Sequence, residues 1–566
     1  MKHFVTLLLA VVTVQTSLCQ VGINNTTPDA NAALDIKSGN KGLLIPRTST
    51  TGRIAIATTA KGMLVYDTTT SSFWYHTGVA WTELTTTNNV WGINGNGGTT
   101  VANFIGTTDA QPVRFRFNNA SAGIIDSISF NTALGIAALR NNTVGNNDVA
   151  IGYAALSGNS SGVHNTATGS QALQSNSTGT NNTANGFIAL NSNTIGTNNT
   201  GMGTNALRSN LDGNNNTAVG VSALFANTTG DDNAANGVNA LRFNTMGINN
   251  TASGSQALYT NATGGNNTAT GFQALYSNTG HYNTASGSQA LYSNTLGFYN
   301  TAAGVDALYF NTNGANNTAT GYQALFTNST GDDNTANGYQ ALFNNTASEN
   351  IAIGNGSLYN TTSGFGNVGC GYQALRNNIN GNNNIAIGNG ADVLGGGLIN
   401  AIAIGYNANV NATNKIRLGN TATSVIEGQV AYTYPSDGRF KTGVTEAGVP
   451  GLNFILGLRP VAYHFDYPAF SKFIGEKTMD EAQLVARSGQ MELGFIAQDV
   501  EKLTKEKGVI FNAVHVPDNA QDNYSLSYMH FVMPLVKAVQ EQQKMIEEQK
   551  EQMQLMQKEI DALKKP

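Results

Sequence analysis

The sequence predicts a mostly β fold: a trimeric β-solenoid, or β-roll, of 17-residue coils, then a small α+β domain and a C-terminal trimeric coiled coil. Three observations support this prediction. A glycine recurs through the middle of the chain in steps of 17 residues, with two steps of 16. Near Ser436, Lys, Glu and Gln become common and the repeated Asn and Thr stop. From Val532 onward, apolar residues follow the three-four spacing of a helix seam.

Residues 1–19 are predicted to be a secretory signal peptide. A basic start precedes an apolar run from Phe4 to Val14, and small residues lead up to Cys19. Because the run is too short to span a membrane, we expect a mature chain that begins at Gln20 and has no membrane span. We expect it to be secreted or held at the extracellular cell surface. Lipidation of Cys19 is the alternative, and Leu18 disfavours it.

The composition narrows the classes of partner. Only 11% of the residues are charged and the net charge is -5, with no basic stripe, so we expect no nucleic acid partner. Cys370 is the one cysteine of the predicted mature chain, which excludes an intrachain disulfide. The seven histidines lack metal-ligand spacing. We therefore expect no cofactor and no metal site.

Residues 20–130 are predicted to be a β-rich segment. Short apolar runs bounded by Gly or Pro, such as Gly42–Arg47 and Gly62–Asp67, are typical of strands and hairpins. An aromatic group follows at Phe73–Tyr75. The pattern resembles the N-terminal segment of many bacterial surface and phage-fibre-like proteins.

Residues 131–412 are predicted to be the solenoid. The unit is Asn-Thr-Ala-x-Gly-x-x-Ala-Leu, followed by a polar stretch of Asn, Thr and Gly. Its marker glycines are Gly135, Gly152, Gly169, Gly186, Gly203, Gly220, Gly237, Gly254, Gly271, Gly287, Gly304, Gly321, Gly338, Gly354, Gly371, Gly388 and Gly405. A unit this short suits one coil with two short strands and two turns. We expect Ala and Leu to form inward ladders, Thr to point outward, and Asn to stack at a corner where its amide satisfies turn groups.

One coil of this kind has a thin core, with one leucine and one or two alanines. Burial must offset the entropy of ordering the chain, so we expect three chains to pack side by side. The units Asn384–Gly388 and Ala401–Gly405 also resemble the head repeats of trimeric autotransporter adhesins. That resemblance implies a homotrimer.

Aromatic residues often follow the leucine of the unit. They are Phe225, Tyr259, Tyr276, Tyr292, Tyr309, Phe326, Phe343 and Tyr359. They could form a strip that binds a surface glycan or another ligand at the host or cell surface, since aromatic rings stack on sugars. A packing ladder between coils or protomers is the interpretation we favour.

After a connector at 413–435, the chain changes character. Residues 436–531 are predicted to form a small domain, and 532–566 a coiled coil, whose helix from Val532 to Leu563 would be about 46 Å long. Its seam consists of Val532, Leu535, Val539, Gln542, Ile546, Gln549, Met553, Met556, Ile560 and Leu563. The two glutamines interrupt the apolar seam, and polar seam residues set register and oligomer state.

Ser436 and Lys441 are the candidate catalytic residues. Serine needs a base to remove its proton, and lysine can serve when burial lowers its pKa. In an extended chain their Cα atoms lie about 16 Å apart. The pair can therefore meet only through a sharp turn, for which Gly438 is suited, or if the lysine comes from a neighbouring protomer.

Four motifs in order resemble the S74 peptidase family, the intramolecular chaperone of phage endosialidases and related fibres. They are Ser436–Lys441, Leu458–Tyr463, Gly494–Glu501 and Tyr524–Tyr528, the last leading into Leu535–Glu541. The resemblance implies autocleavage of the Pro435–Ser436 bond after trimerisation, with Ser436 as nucleophile and Lys441 as base. It implies a single self-processing event and no external substrate.

These inferences predict an exported homotrimeric fibre with an adhesive or display role. Its C-terminal domain would align three chains and then cut itself away. The main alternative is a structural surface protein that is never cleaved, in which this domain acts only as a trimer clamp. A polysaccharide-degrading spike would need a carboxylate pair, and the repeats contain few acids. An ice-binding rod would need uniform outward threonine rows, and those such as Thr166 with Thr168 do not continue.

Overall fold

The computed structural model describes residues 20–57, 60–84, 104–430, 432–476 and 480–564. The predicted signal peptide lies outside the described residues. The chain divides into two compact units, one up to Thr108 and one from Asp109 onward. Each unit is described by itself.

The first unit contains the predicted strands and hairpins. Its elements are β1 (Val21–Ile23), β2 (Leu34–Ile36), β3 (Arg47–Thr48), α1 (Thr50–Ala55), β4 (Leu64–Asp67), β5 (Ser72–His76) and β6 (Trp81–Leu84). β1 and β2 form a parallel pair, and β3 to β6 form a four-stranded sheet in chain order. Arg53, on α1, has its Nε 2.8 Å from the buried carboxylate of Asp67 on β4. The ion pair fixes α1 against β4.

A ladder of parallel strands forms the rod of the second unit. It begins with an antiparallel meander of β7 (Val113–Phe117), β8 (Ala120–Asp126) and β9 (Asn131–Leu134). The following strands are β10 (Val149–Ile151), β11 (Thr166–Thr168), β12 (Thr183–Asn185), β13 (Thr200–Met202), β14 (Thr217–Val219), β15 (Ala234–Asn236), β16 (Thr251–Ser253), β17 (Thr268–Thr270), β18 (Thr284–Ser286), β19 (Thr301–Ala303), β20 (Thr318–Thr320), β21 (Thr335–Asn337), β22 (Ile351–Ile353), β23 (Val368–Cys370), β24 (Ile385–Ile387), β25 (Asp392–Val393), β26 (Ile402–Ile404), β27 (Asn409–Val410) and β28 (Ile416–Leu418). The last of these lies in the segment predicted as connector.

The predicted β-solenoid is confirmed, but its coil differs in detail. Most coils contain one three-residue strand, not two, and the rest of the coil is turn. A second strand occurs only as the short pair β25–β27 among the described residues. The turns can replace strands because their amides also bond from coil to coil: the Leu258 N–H donates to the Ala274 carbonyl at 2.9 Å.

The core of the rod closes within one chain. In the coil of β16, Ala257 and Leu258 are 0% exposed and Ala252 is 1% exposed. The inward alanine and leucine ladders are therefore confirmed, and the outer residues of β16 are exposed as expected. Buried asparagines complete the core of each coil, so the small number of apolar residues does not by itself require three packed chains. Support for a trimer must come from other observations.

Two ladders of fully buried asparagine fill the corners of the coils. The backbone N–H of Asn250 donates to Asn233 Oδ1 at 3.1 Å, and Asn250 Oδ1 accepts from the N–H of Asn267 at 3.0 Å. Asn250 Nδ2 donates to the carbonyl of Gly264 at 2.8 Å. In the second ladder, Asn244 Nδ2 donates to Asn227 Oδ1 at 2.8 Å. Each amide thus satisfies turn groups as predicted, at two corners rather than one.

The marker glycine is required by backbone geometry. Gly254 has φ +140°, and a Cβ there would overlap the carbonyl of Gly271 in the next coil. Leu258 is also left-handed, with φ 52°, although a side chain disfavours that region. The repeated coil-to-coil hydrogen bonds hold the leucine in that conformation.

The aromatic residues after the leucines form a stack between coils. Tyr259, Tyr276 and Tyr292 are nearly parallel, with ring centroids 4.9 and 5.0 Å apart. The stack continues from Tyr309 to Tyr359 at spacings up to 5.4 Å. Because neighbouring rings cover each other's faces, the geometry is that of the packing ladder.

The C-terminal region is a small α+β domain. Its elements are α2 (Leu452–Ile455), β29 (Val461–His464), α3 (Tyr467–Phe473), α4 (Glu481–Ser488), β30 (Met491–Gly494), α5 (Ala497–Lys507), β31 (Val514–His515), β32 (Ser525–Leu526) and α6 (Val532–Leu563), with 3-10 helices at Gly438–Phe440 and Tyr528–Phe531. Both strand pairs, β29–β30 and β31–β32, are antiparallel. A compact core surrounds Phe531, which packs against Phe495 and Phe511.

Among the described residues, the structure contains no helix long and apolar enough to cross a membrane.

Candidate functional site

The predicted Ser–Lys pair meets within one chain. A single 3-10 turn at Gly438–Phe440 folds the segment back, and Asp437 begins it by accepting the Arg439 N–H at 2.9 Å. The turn ends as the Lys441 N–H donates to the Gly438 carbonyl at 3.2 Å. As a result, Lys441 Nζ donates to Ser436 Oγ at 2.7 Å. This distance is within the reach that a general base needs.

The Asp437 carboxylate, next to Ser436, already forms an ion pair with Arg439. Arg439 Nη2 lies 2.5 Å from Asp437 Oδ2, and this contact with Arg439 lowers the pKa of the Asp437 carboxyl. Asp437 is thus held charged and directed at Arg439. Lys441 is the side chain of this turn that contacts Ser436 Oγ, as a donor.

Solvent exposure bears on how the pair could react. Pro435, Ser436 and Lys441 are all exposed in the single chain. A lysine accepts a proton only as the neutral amine, and burial favours that form. The Ser436–Lys441 contact is therefore formed in the single chain, but the pair is not buried as a neutral lysine would require.

An apolar groove lies beside the segment that precedes Ser436. It measures about 510 Å³, and its lining includes Tyr434, Val449, Ile510, Phe511 and Met533. The ring of Tyr434 lies edge-on to that of His530, with centroids 6.4 Å apart. Sequence analysis did not identify Tyr434, although an aromatic residue directly before Pro435 is the signal that could have indicated an anchor.

The predicted seam lies on one long helix. α6 begins at Val532, and its buried residues are Pro534 and Ala538, both in its first two turns. Glu541 also joins the helix to the domain, since its Oε2 accepts the Leu452 N–H at 2.7 Å. The apolar seam side chains are exposed, from 43% at Val532 to 86% at Leu563. Gln542 and Gln549 are exposed as well.

Two of the histidines form hydrogen-bond contacts within the C-terminal domain. His464 Nδ1 lies 3.1 Å from the Gln490 carbonyl, and His530 Nδ1 lies 2.7 Å from Ser527 Oγ. Within the described ranges, no group of three or more His, Cys, Asp or Glu side chains has the arrangement of a metal site.

Comparisons with known families give two matches. Residues 436–509 match the family described as chaperone of endosialidase, and this match begins at Ser436. Residues 22–100 match the family described as phage tail like trimerisation region. A comparison with curated proteins gives no match. Both resemblances predicted for the two ends of the chain are thus confirmed: a match to the phage tail like trimerisation region precedes the β-solenoid, and a match to the chaperone of endosialidase follows it.

Proposed function

We propose that this chain forms a secreted homotrimeric surface fibre whose C-terminal domain aligns three chains and then cuts the Pro435–Ser436 bond. The contact between Lys441 Nζ and Ser436 Oγ is the observation that supports cleavage most directly. The match to the chaperone family, which begins at the same serine, supports it independently.

The proposed reaction begins inside the scissile peptide. Ser436 Oγ attacks the carbonyl carbon of Pro435 while Lys441 accepts the hydroxyl proton. That proton passes to the Ser436 nitrogen as the C–N bond breaks, which leaves an ester between Pro435 and Oγ. One water molecule then hydrolyses the ester to a Pro435 carboxylate and a free Ser436 with its amine and hydroxyl.

In this proposal, assembly of the trimer activates self-cleavage. The domain exposes large apolar side chains, including Leu456, Leu493 and Ile510, in addition to the α6 seam. Patches of this kind are typical of association surfaces. Association of three chains through these surfaces would also reduce the exposure of the Ser–Lys pair and so favour the neutral form of the lysine, so that cleavage follows trimerisation.

The repeats alone do not fix the register of the three chains relative to one another, so the fibre needs a domain that does. Successive coils are nearly identical, so a slip of one coil between chains costs little locally. Trimerisation elements at both ends fix the alignment that the repeats cannot. We infer that the aligned rod then serves in adhesion or surface display.

The test is the intact mass of residues 20–566 as wild type and as Ser436→Ala. The proposal expects fragments 20–435 and 436–566 from the wild type and a whole Ser436→Ala chain. Thr442→Ala, which removes an exposed hydroxyl next to Lys441, is the matched control and should still be cut. If the wild type and both variants form trimers but all stay uncut, the domain is only a trimer clamp and self-cleavage is excluded.

A further inference from the structure

The end of the rod and the C-terminal domain are joined by contacts that do not involve the peptide bond at Pro435. We define the rod-end segment as residues 409–423, which include β27 and β28. It contacts the domain through two polar clusters. In every contact one partner lies in residues 409–423 and the other in residues 475–523, so Pro435 and Ser436 take no part.

The first cluster surrounds a buried aspartate. Lys415 Nζ, from the rod-end segment, lies 2.8 Å from Asp522 Oδ1, and the Asp522 side chain is fully buried. His515 Nε2 lies 2.7 Å from the other carboxylate oxygen. Burial alone would raise the pKa of Asp522, but hydrogen bonds led by that from Lys415 lower it to about 2. The aspartate is therefore ionised and paired.

Asn411 extends the same cluster. Its Nδ2 donates to the Gln521 carbonyl at 2.8 Å, and its Oδ1 accepts from Lys415 Nζ at 2.8 Å. Side-chain and backbone groups of the domain are thus both bonded to the rod.

The second cluster surrounds Glu476. Its carboxylate accepts the Thr421 N–H at 3.0 Å and the Thr421 hydroxyl at 2.5 Å. Arg487 donates to the carbonyls of Thr421 and Thr423, the latter at 3.1 Å. Nearby, Asn409 Nδ2 donates to the Gly475 carbonyl at 2.5 Å.

The segment between the two partners is exposed. Residues 424–430 and 432–435 have no regular secondary structure and exposed side chains. Cutting after Pro435 opens this segment but removes none of the contacts above. In a trimer the same interface is present three times, which multiplies the hold on the domain.

We propose that the C-terminal domain, once cleaved, stays docked on the rod-end segment as a non-covalent cap. This inference rests on the proposed function for its cleavage step. Repeat rods need atypical ends, because an uncapped coil exposes the surfaces that its neighbour would cover. A retained domain would supply that end in the mature fibre.

The experiment separates the cap from self-cleavage. In a Ser436→Ala chain, a site for a sequence-specific protease replaces the exposed residues 425–430. After digestion, gel filtration and native mass show whether the two pieces remain together. The cap predicts co-elution, and prompt separation at physiological salt would overturn it. Failure of the wild type to cut itself would remove the proposed function and leave this result unaffected.

Two variants test the assigned contacts. Lys415→Met leaves the buried Asp522 without its cation, and we expect dissociation about 100-fold faster. Glu476→Gln keeps the shape of the second cluster but removes its charge, and should also speed dissociation. Lys502→Met changes a lysine that is 77% exposed on α5, so it should have no effect. Co-elution that neither cluster variant weakens would contradict the assignment of this interface.

Discussion

The charge state of one amine governs the proposed chemistry at the scale of single residues. Lys441 already contacts Ser436 Oγ, but as a cation it can only donate to that oxygen. Sequence analysis identified the pair and the need for a turn. It could not determine that Asp437 and Arg439 build that turn, since their mutual ion pair depends on the folded backbone.

We therefore expect both Lys441→Met and Lys441→Arg to lose self-cleavage. Methionine has no basic nitrogen, and arginine stays charged at any physiological pH. The fraction cut is measured on a denaturing gel, with native mass as a check that the trimer still forms. A cut Lys441→Arg trimer would remove the lysine from the mechanism.

Asp148 is a buried carboxyl in the asparagine ladder, and its protonation should make stability depend on pH. It occupies a ladder position that is asparagine in the following coils and is 0% exposed. Its Oδ1 accepts the Asn165 N–H at 2.8 Å, yet burial outweighs such bonds and raises its pKa from 3.8 to about 6. The folded chain thus binds this proton more tightly than the unfolded chain does.

Asp148 should lower stability as the pH rises from about 4 to about 6, with the loss complete above that range. Asp148→Asn removes a cost of up to about 3 kcal/mol at pH 7.5 and changes little at pH 4. Hydrogen exchange of residues 131–165, compared with wild type at each pH, measures this. Asp212→Asn, at an exposed position, is the control, and an equal gain at both pH values would contradict the assignment.

At the scale of the structural element, the buried asparagine ladders explain how the coils of a single chain can form a closed core. The glycine period and the Asn–Thr pair were enough to predict a coil with stacked amides. They did not reveal that Leu258 is left-handed, with φ 52°. Intrinsic preference argues against such a leucine, and only bonds to the next coil stabilise it. The buried asparagines were not predicted as part of the core either, because composition does not show which polar residues are buried.

Removing one amide should weaken the ladder on both sides. Asn250→Ala leaves the buried Asn267 N–H without its acceptor, at about 1–3 kcal/mol. The Gly264 carbonyl loses one of two donors and keeps Asn261 Nδ2 at 2.8 Å. Exchange should increase in the coils of β15 to β17. Asn236→Ala, at an exposed strand position in a neighbouring coil, should stay within about 0.5 kcal/mol of wild type. Equal effects of the two changes would show that the ladder is not stabilising.

At the scale of the whole molecule, the alignment of three chains that we propose would unite the parts. A trimerisation region matches at one end and a chaperone domain at the other, on either side of a rod with nearly identical coils. The heptads predicted the long helix, and α6 spans Val532–Leu563. What one sequence could not give is the docking of the domain onto the rod end, because its partners, such as Lys415 and Asp522, are 107 residues apart.

The most direct test of assembly-gated cleavage breaks the seam and leaves the Ser–Lys pair intact. The double variant Val539→Glu with Ile546→Glu places charges in the seam, and Lys544→Glu changes the opposite face of the helix as a control. Native and denaturing mass are recorded for each chain. We expect a cut trimer for wild type and control, and an untrimerised, uncut chain for the seam variant. A seam variant that is cut without trimerising would contradict it.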